Sequence, residues 1–357
     1  MTGDLPRRAI WLNADGRTLS VIDQTRLPHD LVISRLDSLD GAADAIRTMV
    51  VRGAPLIGAT AAYGVCFALA ADASDASLDV ALAQLAATRP TAINLEHALA
   101  RLDAALRPVP PAERVDAAYA AATAICDEDE AINAAIGRHG LELLKILPRE
   151  EGRPIQVMTH CNAGWLATVE WGTALAPVYM AHDAGLPVHV WVSETRPRNQ
   201  GAALTTWELA AAGVPHTLIA DNAAGHLLQR GAVDLVITGT DRTLRSGDVC
   251  NKVGTYLKAL AAWDCDVPFY VAVPSPSIDW QLNDAASIPI EERSADELTQ
   301  LAGLTLVPDG TPAANYAFDV TPARLVSGLI TERGICDASP QGLQRLFPEH
   351  FEGRGDA

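Results

Sequence analysis

The chain is poor in basic residues: 27 Lys and Arg stand against 44 Asp and Glu, a formal charge of −17 at neutral pH. That balance excludes nucleic acid or an anionic membrane as the main partner. It leaves room for an anionic small molecule, which a few buried basic groups can bind locally. The six cysteines, Cys66, Cys126, Cys161, Cys250, Cys265 and Cys336, include no C-x-x-C pair. The spacing of a structural zinc site is therefore missing, and free thiols in a reducing cytosol are expected, most of them small core fillers. Neither G-x-x-x-x-G-K-[ST] nor G-x-G-x-x-G occurs, which disfavours nucleotide binding. No apolar run is expected to reach the ~18 residues of a membrane span. The opening "MTGDLPRRAIWLNADGRT" has no apolar core of a signal peptide, so a cytoplasmic location is expected. Aromatics amount to only 5% of 357 residues while hydrophobic residues reach 49%. A chain dominated by Ala and Leu reads as helix-rich, not as a sandwich or barrel of short strands.

What is present divides at "LPREEGRP", around residues 147–154. Before it, "RAIWLN" and "TLSVIDQ" alternate like short strands and form a small cap up to about residue 35. From Ser38 onward the pattern is helical. Several segments open on Ser, Thr or Pro and end near Gly or Pro, as helices do. After the linker, five β-branched apolar runs alternate with helical stretches: "IQVMTH", "PVHVWVSE", "PHTLIA", "VDLVITG" and "PFYVAVP". That rhythm predicts a parallel, doubly wound sheet. The expected fold is thus α/β, with residues 1–147 as a strand cap and helical domain and 148–357 as a Rossmann-like domain.

Ligands of such sheets bind outside the carboxyl ends of the strands, and polar residues accumulate there. The first strand is followed by Thr-His-Cys-Asn-Ala-Gly, the second by Glu194 to Gly201, the third by Asp221 and Asn222. Gly239 to Arg242 follow the fourth, and "PSPSID" the fifth. Cys161 and Asn162 are expected to precede or open a helix, whose N–H groups favour an anion or thiolate. Taken alone, Cys161 reads first as a buried thiol in a turn, beside a His160 that serves as scaffold. Asp241 reads either as a capping carboxylate or as an acid/base group raised in pKa by apolar surroundings. Asn251 and Lys252 stand before a helix, where the lysine suits substrate oxygens or plain solvent. In "VVRGAPLIGATAAYG", Arg52, Gly53 and Ala54 precede an apolar helix and make an anion cradle or a tight turn. Arg89, in "ATRPTAIN", carries a weaker version of the same signal.

Together these segments resemble the 5-methylthioribose-1-phosphate isomerases of methionine salvage, which share their fold with regulatory subunits of translation initiation factor 2B. The resemblance runs over nearly the whole chain, through "MVVRGAPLIGATAAYG", "RPTAINL", "THCNAG", "ETRPRNQGAALTTWEL", "IADNAAGHLL", "GTDRT", "GDVCNKVGTYLKAL", "IPIEER" and "NYAFDVTPARLVSGLITERG". It implies Cys161 and Asp241 as the catalytic pair. It implies Arg52, Gly53, Ala54, Arg89, Gln200, Asn251 and Lys252 as substrate-binding residues. A homodimer needing no metal or organic cofactor is implied too, acting on a sugar 1-phosphate. "TGTDRTLRSGD" and "PSPSID" resemble a second, bacterial form of the family's motifs, and leave open whether the 5-substituent is methylthio or hydrogen.

Overall fold

The computed structural model describes residues 8–148, 152–282 and 284–351. Strands β1 (Ile10–Leu12), β2 (Leu19–Ile22) and β3 (Ile33–Leu36) pair antiparallel as the N-terminal cap. Asp15 shapes the first turn by accepting from the Arg17 and Thr18 amides, both at 2.9 Å. Five helices follow: α1 (Leu39–Arg47), α2 (Ala54–Ala71), α3 (Asp75–Ala86), α4 (Ile93–Leu106) and α5 (Pro111–Ile146). Ser38 and Ser74 cap α1 and α3 through their hydroxyls, and prolines stand in the first turns of α2 and α5, where a missing N–H costs nothing.

Helix α2 departs from the expectation that no apolar run reaches the length of a membrane span. Ala54–Ala71 is an uncharged helix of 18 residues, long and apolar enough by composition to cross a membrane. It is instead the centre of the helical core, packed on by α1, α3, α4 and α5 and buried over 83% of its length. A helix apolar on every face is what burial on every face requires. Helix α5 joins the two halves of the molecule. Ala118, Tyr119, Ala122 and Cys126 lie in the helical core, whereas Ile132, Ile136, Leu143 and Leu144 lie under the sheet.

The sheet has seven strands in the order β16-β15-β10-β7-β4-β5-β6. The five expected strands are β4 (Ile155–His160), β5 (Val188–Ser193), β6 (His216–Ile219), β7 (Leu235–Thr238) and β10 (Phe269–Ala272), all parallel. Two more come from the C-terminal segment: β15 (Gly328–Thr331), parallel to β10, and β16 (Gly334–Cys336), antiparallel at the edge. Alternate residues of each strand feed two cores. Val157, Leu235 and Ile237 face α5 and α6 (Ala176–Asp183). Met158, Val236 and Phe269 face α8 (Ala224–Gln229), α9 (Thr255–Asp264) and α11 (Pro340–Leu346). Short α7 (Thr206–Ala211), preceded by a π-helical turn at Gly201–Thr205, connects β5 to β6.

A second sheet, β11-β8-β9-β14, stands over the carboxyl ends of the first. It comprises β8 (Arg242–Leu244), β9 (Val249–Lys252), β11 (Ile278–Asp279) and β14 (Phe318–Thr321). Between β11 and β14 lie the four-residue α10 (Asp296–Thr299) and the hairpin β12 (Gln300–Leu301) and β13 (Leu304–Thr305).

Candidate active site

Strands β4, β5 and β6 succeed one another in one direction across the sheet, whereas β7 returns to the other side of β4 and β10 and β15 continue outward. The connections after β4 and β7 therefore leave in opposite directions, and a crevice opens between them. Cys161 is the first residue after β4, and Asp241 the third after β7. All nine residues singled out by resemblance line the one cleft at this switch point.

The helix expected to open at Cys161 is absent. Cys161 has φ +62°, in the left-handed region, and α6 begins only at Ala176. The intervening chain holds a 3₁₀ turn at Trp165–Ala167 and further positive φ values at Trp171 and Gly172. Burial pushes the Cys161 thiol up in pKa, against the pull of Lys252 and Arg52. At rest it is an uncharged thiol, and it donates to Gln200 Oε1 at 3.0 Å. Gln200 stands immediately before the π-helical turn. Turns of this type recur at functional sites.

Asp241 sits where β7 hands over to the β8–β9 hairpin, its amide bonded to the Cys250 carbonyl at 3.1 Å. Burial raises its carboxyl pKa, opposed by Lys252, Arg89 and Arg52. Asn251 and Lys252 end β9, opposite Asp319 and Phe318 of β14. Asn251 donates to Thr255 Oγ1 at 3.0 Å, and the Lys252 ammonium lies 4.6 Å from the Phe318 ring centroid. Arg89 reaches in from the loop before α4 and pairs with Glu291 at 2.9 Å, while its buried Nε has no partner.

Arg52 is buried, with both terminal nitrogens turned to Asn162. One donates to the Asn162 side-chain oxygen and the other to its carbonyl at 2.8 Å. Gly53 and Ala54 begin α2, whose first turn has no side-chain cap and borders the cleft. Gly53, at φ +97°, passes so close to the 3₁₀ turn that a Cβ would stand 2.4 Å from the Ala167 carbonyl oxygen. His160 is scaffold: its Nε2 bonds the Val253 carbonyl at 2.8 Å, and burial, with Lys258 nearby, depresses its pKa well below the usual imidazole value.

Four cations, Arg52, Arg89, Arg242 and Lys252, and one carboxyl raised in pKa by burial thus face a cleft inside a protein of charge −17. Such an arrangement has the charge to hold an anion and a carboxyl able to exchange protons with it. Other strand-end residues serve architecture. Glu194 accepts from the Thr195 and Ala202 amides at 2.5 and 3.2 Å, Asp221 from the Arg196 amide at 3.1 Å, and Asp279 pairs with Arg242 at 3.0 Å.

Sequence reading passed over Glu208, a fully buried carboxyl on α7 that binds Asn162 at 2.8 Å behind Arg52. A signal for it exists. Glu208 follows Leu204 by four residues and precedes Leu209, so it occupies the apolar stripe of its helix, where a carboxylate needs partners. Glu291 was likewise passed over, since nothing in "IPIEER" announces an ion pair with Arg89.

The chain matches the model of the initiation factor 2 subunit family over residues 50–338. It is 63% identical over 354 residues to the methylthioribose-1-phosphate isomerase of Paramagnetospirillum magneticum, covering 96% of this chain and 98% of that one. Against the protein of the same name from Rhodospirillum rubrum the identity is 61% over 360 residues, covering 96% and 92%. The crystal structure of 5-methylthioribose 1-phosphate isomerase from Pyrococcus horikoshii superposes with TM-score 0.86 at 37% identity, over 97% of both chains. A structure described as translation initiation factor eIF-2B, subunit delta, from A. fulgidus gives 0.81 at 38% identity, over 97% of this chain and all of that one.

Proposed function

The chain belongs to the initiation factor 2 subunit family and, within it, to the methylthioribose-1-phosphate isomerases, and on that footing we propose that it converts 5-methylthio-α-D-ribose 1-phosphate to 5-methylthio-D-ribulose 1-phosphate. The observation that carries the site assignment is the pair at the switch point. Cys161 and Asp241 follow the two central strands and open on one cleft with Arg52, Arg89 and Lys252.

The substrate's anomeric carbon is capped by phosphate, so the ring cannot open to a free aldehyde. Asp241, with its pKa raised by burial, donates a proton to the ring oxygen as the bond from C1 to that oxygen breaks. A hydrogen then leaves C2 and arrives at C1, the 2-hydroxyl gives its proton to the Asp241 carboxylate left by the first step, and C2 becomes the ketone. In one route C2 loses a proton and C1 gains one through Cys161. In the other, hydride passes directly from C2 to C1 while Cys161 stabilises charge. In the hydride route Cys161 stays an uncharged thiol, whereas in the proton route it first loses its thiol proton to solvent. The thiolate, stabilised by Lys252 and Arg52, then takes the proton from C2 and returns it to C1. The Arg52-Gly53-Ala54 turn, Arg89, Gln200, Asn251 and Lys252 bind the sugar phosphate and hold the phosphate from leaving. The same reading takes the protein to be a cytoplasmic homodimer with neither nucleic acid nor membrane as partner.

Turnover of 5-methylthioribose 1-phosphate, 5-deoxyribose 1-phosphate and ribose 1,5-bisphosphate, followed by NMR in deuterated water, tests the proposal. Preference for the methylthio sugar supports it, and no turnover of any of the three refutes it. Deuterium at C1 of the product marks the proton route, and its absence the hydride route. A purely regulatory role, which the initiation-factor likeness suggests, has no use for a raised-pKa acid in the cleft and predicts no turnover.

A further inference from the structure

Glu208 lies behind the cleft and is reached by three donors from two other segments. Its Oε1 accepts from Asn162 Nδ2 at 2.8 Å and from the Leu166 amide at 3.1 Å, and its Oε2 accepts from the Tyr179 hydroxyl at 2.8 Å. Asn162 and Leu166 belong to the loop after β4, Tyr179 to α6 and Glu208 to α7. The carboxyl fits because residue 164 is glycine: a Cβ there would stand 1.8 Å from Oε2. With its amide nitrogen held by Glu208 and by Thr205 Oγ1 at 3.1 Å, Asn162 presents its two oxygens to Arg52. Cys161, one residue earlier, keeps its left-handed backbone with the Thr205 hydroxyl on its carbonyl at 2.6 Å. A non-glycine residue persists in that conformation only where its surroundings enforce it.

We propose that Glu208 is the positioning residue of this site: by anchoring Asn162 and Leu166 it holds the Cys161 turn and the Arg52 guanidinium in register with the cleft. The proposal takes from the isomerase reading what the site does, but not how the site is held. A glutamine can replace the carboxylate here. Its carbonyl accepts from both Asn162 and Leu166, and its NH₂ donates to the Tyr179 oxygen once that hydroxyl turns round. An alanine leaves the Leu166 amide and the Tyr179 hydroxyl without an acceptor and holds Asn162 by Thr205 alone.

The test is iodoacetamide labelling with peptide mapping, in which buried Cys66 and Cys126 report on global opening. Glu208→Ala is expected to raise Cys161 labelling roughly tenfold or more over wild type with Cys66 and Cys126 unchanged, and to lower kcat roughly 100-fold, the scale of an ångström of misplacement. Glu208→Gln is expected to stay within about twofold of wild type on both counts, its hydrogen bonds being kept. Should Glu208→Ala fail to fold, Tyr179→Phe removes a single donor and is expected to raise Cys161 labelling about threefold, again selectively. Unchanged Cys161 labelling in the variant that folds, or a parallel rise at all three cysteines, overturns the proposal. If the wild type turns over none of the three sugar phosphates, the isomerase reading falls, while the labelling still decides the positioning role.

Discussion

Replacing Gly53 by alanine should damage both stability and activity, and the size of the damage can be worked from two terms. The first is backbone strain. Gly53 has φ +97° and ψ 134°, a region nearly closed to residues with a Cβ, and such strain costs about 1–3 kcal/mol. The second is collision. The new methyl would lie 2.4 Å from the Ala167 oxygen, 2.5 Å from its Cα and 2.7 Å from its Cβ. Two of these are backbone atoms, so no side chain can swing aside, and the start of α2 must withdraw from the 3₁₀ turn. Overpacking of this kind costs a further 1–3 kcal/mol or so, making roughly 2–6 kcal/mol in all. Because Arg52 precedes the glycine and is bonded to Asn162, the same withdrawal drags the guanidinium off its mark, and kcat/KM should fall roughly 100-fold. Urea unfolding measures the first effect and initial-rate kinetics the second. Gly16→Ala is the control. It also has positive φ, +64°, but a Cβ there meets nothing within 4 Å, so only about 1 kcal/mol is expected, with activity intact. A Gly53→Ala protein as stable and active as the Gly16→Ala control would refute the reasoning.

Lys252→Met removes the largest charge opposing burial at Asp241 and at Cys161. An acid that must be protonated loses activity as pH rises through its pKa, so removing the cation raises that pKa and should move the alkaline limb of the kcat–pH profile upward even as the rate falls. A limb that stays put or moves down contradicts the assignment of Asp241 as the acid. Glu208 supplies a stability test. Burial pushes its carboxyl up to about 7, above an unfolded value near 4.3, so between those values the folded protein holds one proton more than the unfolded chain. Stability should therefore fall as pH rises through that window, by about 4 kcal/mol, and Glu208→Gln should abolish that part of the slope. Urea midpoints across the window measure it, and an equal slope in both proteins counts against the burial argument.

Sequence alone carried far where periodicity and local chemistry decide the structure. The five apolar runs from "IQVMTH" to "PFYVAVP" became adjoining parallel strands, and the helical layer from Ser38 to the linker appeared with its serine and proline starts. Features set by tertiary contact stayed hidden. Cys161 looks like a helix opening because a strand precedes it, but its left-handed φ goes with a hydrogen bond to its carbonyl from Thr205, 44 residues away. The β8–β9 hairpin and β14 are too short to alternate visibly, yet they carry Asn251 and Lys252 over the cleft. No local signal tells that β7 returns beside β4, and that single fact makes the crevice between Cys161 and Asp241. The apolar run of α2 shows the converse: composition matches a membrane span, and only the surrounding helices make it a core.

The central claim is that Asp241 delivers the proton that opens the sugar ring. The most direct measurement is kcat of Asp241→Asn on 5-methylthioribose 1-phosphate, an isosteric change that keeps the cleft's shape and removes the acid. Loss of a general acid costs roughly 10²–10⁴-fold, so kcat should fall by that factor while KM stays within a few-fold of wild type. An Asp241→Asn protein within about threefold of wild-type kcat would contradict the account.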